Sequence, residues 1–217
     1  MTFFPSELAF TAFLQYAPRG LTPMSQMSRT VTYKIKTDGF MGQTRVIAYA
    51  ARRVAEQWNR YPFLHECLGS EVTLVPVPRS SPRQAGFLWP AERICEALLA
   101  EGLGRDMERC LERTRPVPRA SMATRGQRPN PPDHNDSVEV RLSRRRLQPQ
   151  RLTLIDDVIT RGSTFVGLYP GLQAAFPDAT LHCFALVRTI SVGEVDNILA
   201  PTTGTITYRE GRLVRQP

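Results

Sequence analysis

Three observations predict an α/β fold built on a central, mainly parallel sheet flanked by helices. Apolar, β-branched runs alternate with amphipathic helical stripes along most of the chain, an order that gives parallel strands joined by right-handed helical crossovers. The run Leu152-Thr153-Leu154-Ile155 is apolar without alternation, as a strand buried on both faces must be. A length of 217 residues is ample for one such domain with a real core and too short for two full-sized ones.

The elements follow in order. Residues 1–30, punctuated by Pro5, Pro18 and Pro23, are expected as a short irregular or helical extension able to form part of a hood, with the main domain over residues 31–217. Val31 to Lys36 alternates like a strand, and Gln43 to Trp58 carries Val46, Ile47, Ala50, Val54 and Trp58 on one helical stripe. Val72 to Val75 reads as a strand, Ala91 to Leu99 as a helix with Ile94, Ala97 and Leu98 at helical spacing, and Asp106 to Leu111 as a short helix. Arg113 to Asn135 is a basic loop long enough to expect a lid or binding loop. A strand at Val138 to Leu142, the strand from Leu152, a helix at Phe165 to Ala175 and a strand at Leu181 to Val187 follow. A hairpin of Thr205 to Tyr208 with Arg212 to Val214, turning at Glu210-Gly211, closes the chain.

The most informative stretch is Leu152-Thr-Leu-Ile-Asp156-Asp157-Val-Ile-Thr160-Arg161-Gly162-Ser163-Thr164. The apolar run places both carboxylates at a strand's carboxyl end, the edge of an open α/β sheet where ligands bind. The loop after them, rich in hydroxyl and amide donors, can wrap an anion, because Gly162 allows close backbone approach and the next helix begins there with its positive end. Asp156 and Asp157 cannot hold phosphate. They suit the vicinal hydroxyls of a ribose, or a magnesium ion carried with the substrate.

At these residues the sequence resembles the type I phosphoribosyltransferases, whose signature is a hydrophobic strand, two acids, two hydrophobic residues and a Thr/Gly-rich loop that binds phosphoribosyl pyrophosphate (PRPP). The fold this implies is the type I phosphoribosyltransferase fold with a small hood. Val72-Thr-Leu-Val-Pro76-Val-Pro78-Arg79, followed by Ser80-Ser-Pro-Arg83-Gln-Ala-Gly86-Phe87, is similar to the Val-Pro-Val-Pro strand end, basic turn and Gly-Phe of the competence protein ComF family. Two departures stand out: Leu88 replaces the asparagine usual after Gly-Phe, and the family's N-terminal four-cysteine zinc module is missing. The likeness spans residues 31–190 and is strongest in the two loops.

The resemblance implies roles. Phosphoribosyl transfer displaces pyrophosphate from an anomeric carbon through an oxocarbenium-like transition state, so the sugar phosphate must be held still and the departing pyrophosphate neutralised. Thr160, Arg161, Gly162, Ser163 and Thr164 are assigned to the phosphate; Arg79, Ser80 and Arg83 to the pyrophosphate. Asp156 and Asp157 are assigned to the ribose and to Mg²⁺ that travels with PRPP, and Arg125 or Arg128 to a lid that closes over the pyrophosphate. Gln127 and Asn135 belong to that same loop. Threonine at 160 stands where purine-salvage transferases commonly carry an acid, so no general base for a purine is evident. His134 is expected as an exposed loop histidine able to donate a proton, His182 as structural, and Phe87 and Trp89 as core rather than stacking residues.

Composition bounds the partners. A formal charge of +8 invites a nucleic-acid reading, but Lys34 and Lys36 are the only lysines among 28 basic residues, which reads as arginine bias in composition. Arg144-Arg145-Arg146 is expected as a solvated turn. Weak, sequence-independent nucleic-acid contact is therefore all that is expected, with PRPP or a nucleoside monophosphate as the small-molecule partner and a homodimer as the assembly to consider. Cys67, Cys95, Cys110 and Cys183 lack metal or disulfide spacing and are expected to be reduced core residues of a cytoplasmic protein. No run approaches the ~18 apolar residues of a membrane span. Three readings stay open: a Mg²⁺-dependent transferase acting on a base or amine, a PRPP- or nucleotide-sensing module without turnover, and a DNA-associated accessory protein.

Overall fold

The computed structural model describes residues 3–118, 128–142 and 149–217. The chain opens with β1 (Glu7–Tyr16), α1 (Pro23–Lys36), the short ribbon of β2 (Phe40–Met41) and β3 (Thr44–Arg45), α2 (Val46–Glu56) and α3 (Phe63–Leu68). β4 (Val72–Pro76), α4 (Pro90–Ala100), β5 (Asp106–Met107), β6 (Leu111–Arg113), α5 (Pro131–Asn135) and β7 (Val138–Val140) form the middle. β8 (Arg151–Ile159), α6 (Ser163–Ala175), β9 (Thr180–Thr189), β10 (Leu199–Arg209) and β11 (Arg212–Gln216) complete it.

Seven strands form one sheet in the order β11-β10-β1-β9-β8-β4-β5. The five from β1 to β5 are parallel, while β10 and β11 run antiparallel at one edge. This is the expected α/β architecture, a mainly parallel sheet flanked by helices. Neighbouring residues of a strand face opposite ways, and the two cores show it: Leu74, Ile155 and Phe184 pack with α1 to α4 on one face. Val75, Leu154 and Cys183 pack with α6 on the other. Both faces are covered, so the central strands tolerate no polar alternation. All four cysteines are free and buried, and burial pushes the Cys67 and Cys110 thiols up to about 12. Among the described residues no helix is long and apolar enough to cross a membrane.

Three elements differ from the sequence expectation. Residues 7–16 form a strand inside the sheet, pairing with both β9 and β10; Pro5 and Pro18 flank that strand rather than interrupting it. Val31 to Lys36 is the end of a helix, not a strand. Its start is encoded in Thr22-Pro23, where the Thr22 hydroxyl accepts from the Ser25 amide and proline occupies the first turn. Its buried stripe, Ser25, Ser28, Thr32 and Ile35, is mostly hydroxylic and so escapes an apolar-periodicity reading. Asp106 to Leu111 contributes β5 and the start of β6 rather than a helix, because Asp106 docks beside Thr73 of β4 and accepts its hydroxyl at 2.5 Å. The terminal hairpin matches: Glu210 and Gly211 have φ of 49° and 75°, the pair of positive values that a two-residue turn requires.

α1 is fastened at both ends. At its start Glu194, from the β9–β10 connection, accepts from the Leu21 and Thr22 amides at 2.7 and 3.1 Å and from the Ser25 hydroxyl at 2.6 Å. Gly20 permits this approach, since a Cβ there would lie 2.6 Å from the Glu194 carboxylate. The hydrogen bonds, led by that from Ser25, hold the Glu194 carboxyl down at about 2, against an ordinary 4.5. A carboxylate with a depressed folded pKa stabilises above the unfolded value and loses that contribution as pH falls toward the folded one. Glu194→Gln is therefore expected to lower the thermal midpoint at neutral pH, with the gap to wild type closing between pH 4.5 and about 2. Melting curves across that range check it.

Candidate functional site

The register of β8 against its neighbours creates the site. Its last partner on β4 is Pro76, opposite Ile155, whereas pairing with β9 continues through Asp156 to Ile159. After Val77, whose amide still donates to the Ile155 carbonyl, the chain departs and leaves Asp156 and Asp157 in a crevice. The acids thus lie within β8 rather than at its end, but beyond the edge where its neighbour stops. The crevice is a cavity of about 540 Å³.

The two carboxylates are unequal. Asp156 Oδ1 accepts from the Asp157 amide and Asp157 Oδ1 from the Val158 amide, both at 2.8 Å. Asp157 Oδ2 is 2.9 Å from Lys36 Nζ, on the last residue of α1. Burial, then the adjacent Asp157 charge, raises the Asp156 carboxyl well above the ordinary aspartate value. For Lys36, burial opposes the charge, but Asp157 and Asp156 outweigh it and its pKa is raised. Simple repulsion between the acids is therefore too coarse a description: one is countered by Lys36, and the other is biased toward its protonated form.

The loop after β8 stands where expected. Thr160, Ser163 and Thr164 line the cavity, and the Thr160 hydroxyl lies 3.3 Å from that of Thr189. Gly162 is the N-cap of α6, with φ +88° and no capping side chain, so the first-turn N–H groups lack both an intrahelical partner and a cap. Gly162 also has a structural duty, since a Cβ there would sit 2.4 Å from Ile206 Cδ1. A bulky substitution at 162 disturbs packing together with any anion. Arg161 is exposed and lies outside the cavity lining.

The other assigned residues divide. Arg79 and Ser80 line the cavity, as does the exposed Arg128. Arg83 instead lines a second cavity of about 380 Å³ and sits 3.5 Å from Glu92. Arg125, Gln127 and Arg144 to Arg146 lie outside the described residues. Trp89 is buried, with its indole N–H donating to the Val77 carbonyl at 2.6 Å, as a core residue should. Phe87 is 62% exposed, contrary to the core assignment.

His134 is buried on α5, not exposed on a loop. Burial, then the nearby Arg113 charge, takes its pKa down to about 3, so at neutral pH it is no imidazolium donor. Its Nδ1 faces an Arg113 amino group at 3.5 Å; a guanidinium only donates, which leaves the imidazole proton on Nε2.

Lys36 and Arg113 are the site residues the sequence reading did not assign, Arg113 entering there only as the start of a loop. Arg113 is 3% exposed, donates Nε–H to the Arg79 carbonyl at 2.8 Å and also bonds the Ser137 hydroxyl. Burial brings its pKa down to about 10, with the Asp156 charge opposing, so it stays cationic at neutral pH. Among the described residues it has no carboxylate within ion-pair distance. A buried guanidinium lining a cavity without a paired anion is costly unless a ligand completes it. No local pattern distinguishes it from the chain's other arginines. The β6–β7 pairing, Arg113 opposite Val138, brings it to the crevice.

No protein-family model and no curated protein matches the chain. Among solved structures the fold is similar to that of a hypoxanthine phosphoribosyltransferase from Staphylococcus aureus, with 10% identity over 67% of this chain and 73% of that chain and a TM-score of 0.36. It is also similar to a variant of the hypoxanthine phosphoribosyltransferase from Trypanosoma cruzi in a ternary substrates complex, with 17% identity, coverage of 86% and 92%, and a TM-score of 0.35. At such low scores and identities, the functional reading rests on the site's own geometry.

The acid pair makes a pH-dependent prediction. An aspartate with a raised folded pKa costs nothing below the ordinary 3.8 and progressively destabilises as pH rises above it. Asp156→Asn keeps the oxygen that accepts from the Asp157 amide. It is expected to raise the thermal midpoint near pH 7 and leave it unchanged near pH 3. Asp157→Asn removes the partner of a half-exposed lysine and should lower stability by no more than about 1 kcal/mol. A midpoint for Asp156→Asn equal to wild type at every pH would show that Asp156 carries its charge there without cost.

Proposed function

We propose that the protein is a phosphoribosyltransferase-like enzyme that binds PRPP and transfers its phosphoribosyl group to a base or amine, releasing pyrophosphate. One observation carries the reading: the acid pair, the uncapped start of α6 and Arg113, which has no ion-pair partner among the described residues, all line the same cavity beyond the end of β4. Anion donors at two separate places with ribose-hydroxyl acceptors between them suit a sugar bearing phosphates at both ends.

In this reading the 5′-phosphate sits at Thr160 to Thr164, held by backbone N–H groups and the hydroxyls of Ser163 and Thr164. Asp156 and Asp157 accept from the ribose hydroxyls. Arg79, Ser80, Arg113 and Arg128 face the pyrophosphate. As the bond from the anomeric carbon to the pyrophosphate oxygen breaks, its electron pair leaves with pyrophosphate and the guanidinium groups meet the growing charge. The acceptor nitrogen forms the new bond to that carbon and then loses its proton to solvent water. The carboxylate oxygens of Asp156 and Asp157 are hard donors of the type magnesium takes and would hold it together with phosphate oxygens of the substrate. Mg²⁺, when bound with PRPP, would neutralise the phosphates and ease pyrophosphate departure.

A second reading, a PRPP-binding module without turnover, is favoured by one feature. Among the described residues neither Thr160, bonded to Thr189, nor His134, engaged by Arg113, is free to act as a general base on an acceptor. The two readings separate in one assay, with PRPP and Mg²⁺ supplied alongside a panel of bases and amines and pyrophosphate release followed. The enzyme reading expects release that depends on one acceptor and falls about 10²-fold in Arg128→Ala. PRPP binding with no acceptor-dependent release supports the binding module instead.

A further inference from the structure

We propose that the second cavity is a binding site for a nucleoside phosphate, separate from the acid-pair crevice. It holds about 380 Å³, within the range of small-ligand pockets and of a size for one nucleotide rather than a strand. Arg79, Arg113, Pro78 and Trp89 line both cavities and so stand between them. Phe87, Arg83 and Arg109 line only the second.

The lining asks for two chemistries at once. Four guanidinium groups, of Arg79, Arg83, Arg109 and Arg113, face it against one carboxylate, Glu112. Arg83 and Arg109 share Glu92 just behind the wall, while Arg79 and Arg113 form no ion pair among the described residues. The surplus of positive charge, presented as planar forks, matches a phosphate group. The second chemistry is aromatic. The Phe87 ring is left exposed in a turn that the positive φ of Gly86, +80°, makes possible. Arg79 lies over it, with 5.7 Å from the guanidinium carbon to the ring centroid. A second cation–aromatic pair, Arg83 over Trp89 at 5.1 Å, adjoins it. An exposed aromatic face flanked by arginines, here that of Phe87, is a surface on which a base stacks, and the phosphate of the same nucleotide then meets the guanidinium groups. A bare phosphate would leave Phe87 unused; a bare base would leave the charge unanswered.

The test uses Trp89 as reporter, with Trp58→Phe removing the only other tryptophan. Adenosine 5′-monophosphate, adenosine and ribose 5-phosphate are titrated in parallel. A saturable change in Trp89 emission is expected with the nucleotide, and affinities at least about tenfold weaker with either fragment. Since Trp89 and a sugar phosphate can also meet in the first cavity, the deciding variants touch only the second. Phe87→Ala and Arg109→Gln should each weaken nucleotide binding about tenfold, on the scale of one lost base stack or one charged contact, and Phe87→Ala should leave ribose 5-phosphate unaffected. Because Phe87 is exposed, its truncation removes no core packing. A nucleotide signal that survives both substitutions, or no saturable signal at all, overturns the proposal.

Discussion

Everything at the site depends on a stagger between two parallel strands. β4 stops pairing at Pro76 while β8 continues, supported only by β9, to Ile159. Had β4 run alongside for another few residues, Asp156 and Asp157 would face a hydrogen-bonded neighbour and no crevice would exist. Val77-Pro78 ends the β4 ladder because proline offers no N–H to extend it. The same departure sends residues 79–89 outward as the wall that divides the two cavities. Fold and site therefore share one cause: the place where β4 gives way.

Electrostatics then organises the crevice. Acids and bases reach it from elements far apart in sequence: Lys36 from α1, Arg113 from β6, and the acid pair from β8. Lys36 neutralises Asp157, and Asp156 is held toward neutrality by burial. Arg113 remains charged with no carboxylate at ion-pair distance among the described residues, so the crevice favours anions despite its two aspartates. The Glu194 cap at the other end of α1 matters for the same reason, since it fixes the helix that presents Lys36.

The motif strand, the loop at 160–164 and the strand at 72–76 were legible in the sequence because each is a local signal: a continuous apolar run, two acids, then a glycine with hydroxyls. β1 and α1 were not, for opposite reasons. Leu8, Phe10 and Ala12 do alternate as a strand should, but prolines on either side read as an irregular extension. The α1 stripe is built from serine and threonine, which carry little hydrophobic contrast. Arg113 and Lys36 were illegible as site residues because only the tertiary fold brings them to the acids, and Arg83 was read into the first site although it faces the second cavity. Thr153, the one departure from an aliphatic motif strand, is fully buried with its hydroxyl unpartnered among the described residues. It packs as an aliphatic residue would.

Calorimetric titration of PRPP in the presence of Mg²⁺ tests the central claim most directly. One PRPP per chain is expected, with most of the affinity lost in Asp156→Ala/Asp157→Ala. Binding of undiminished affinity in that double variant would place the ligand elsewhere and contradict the account.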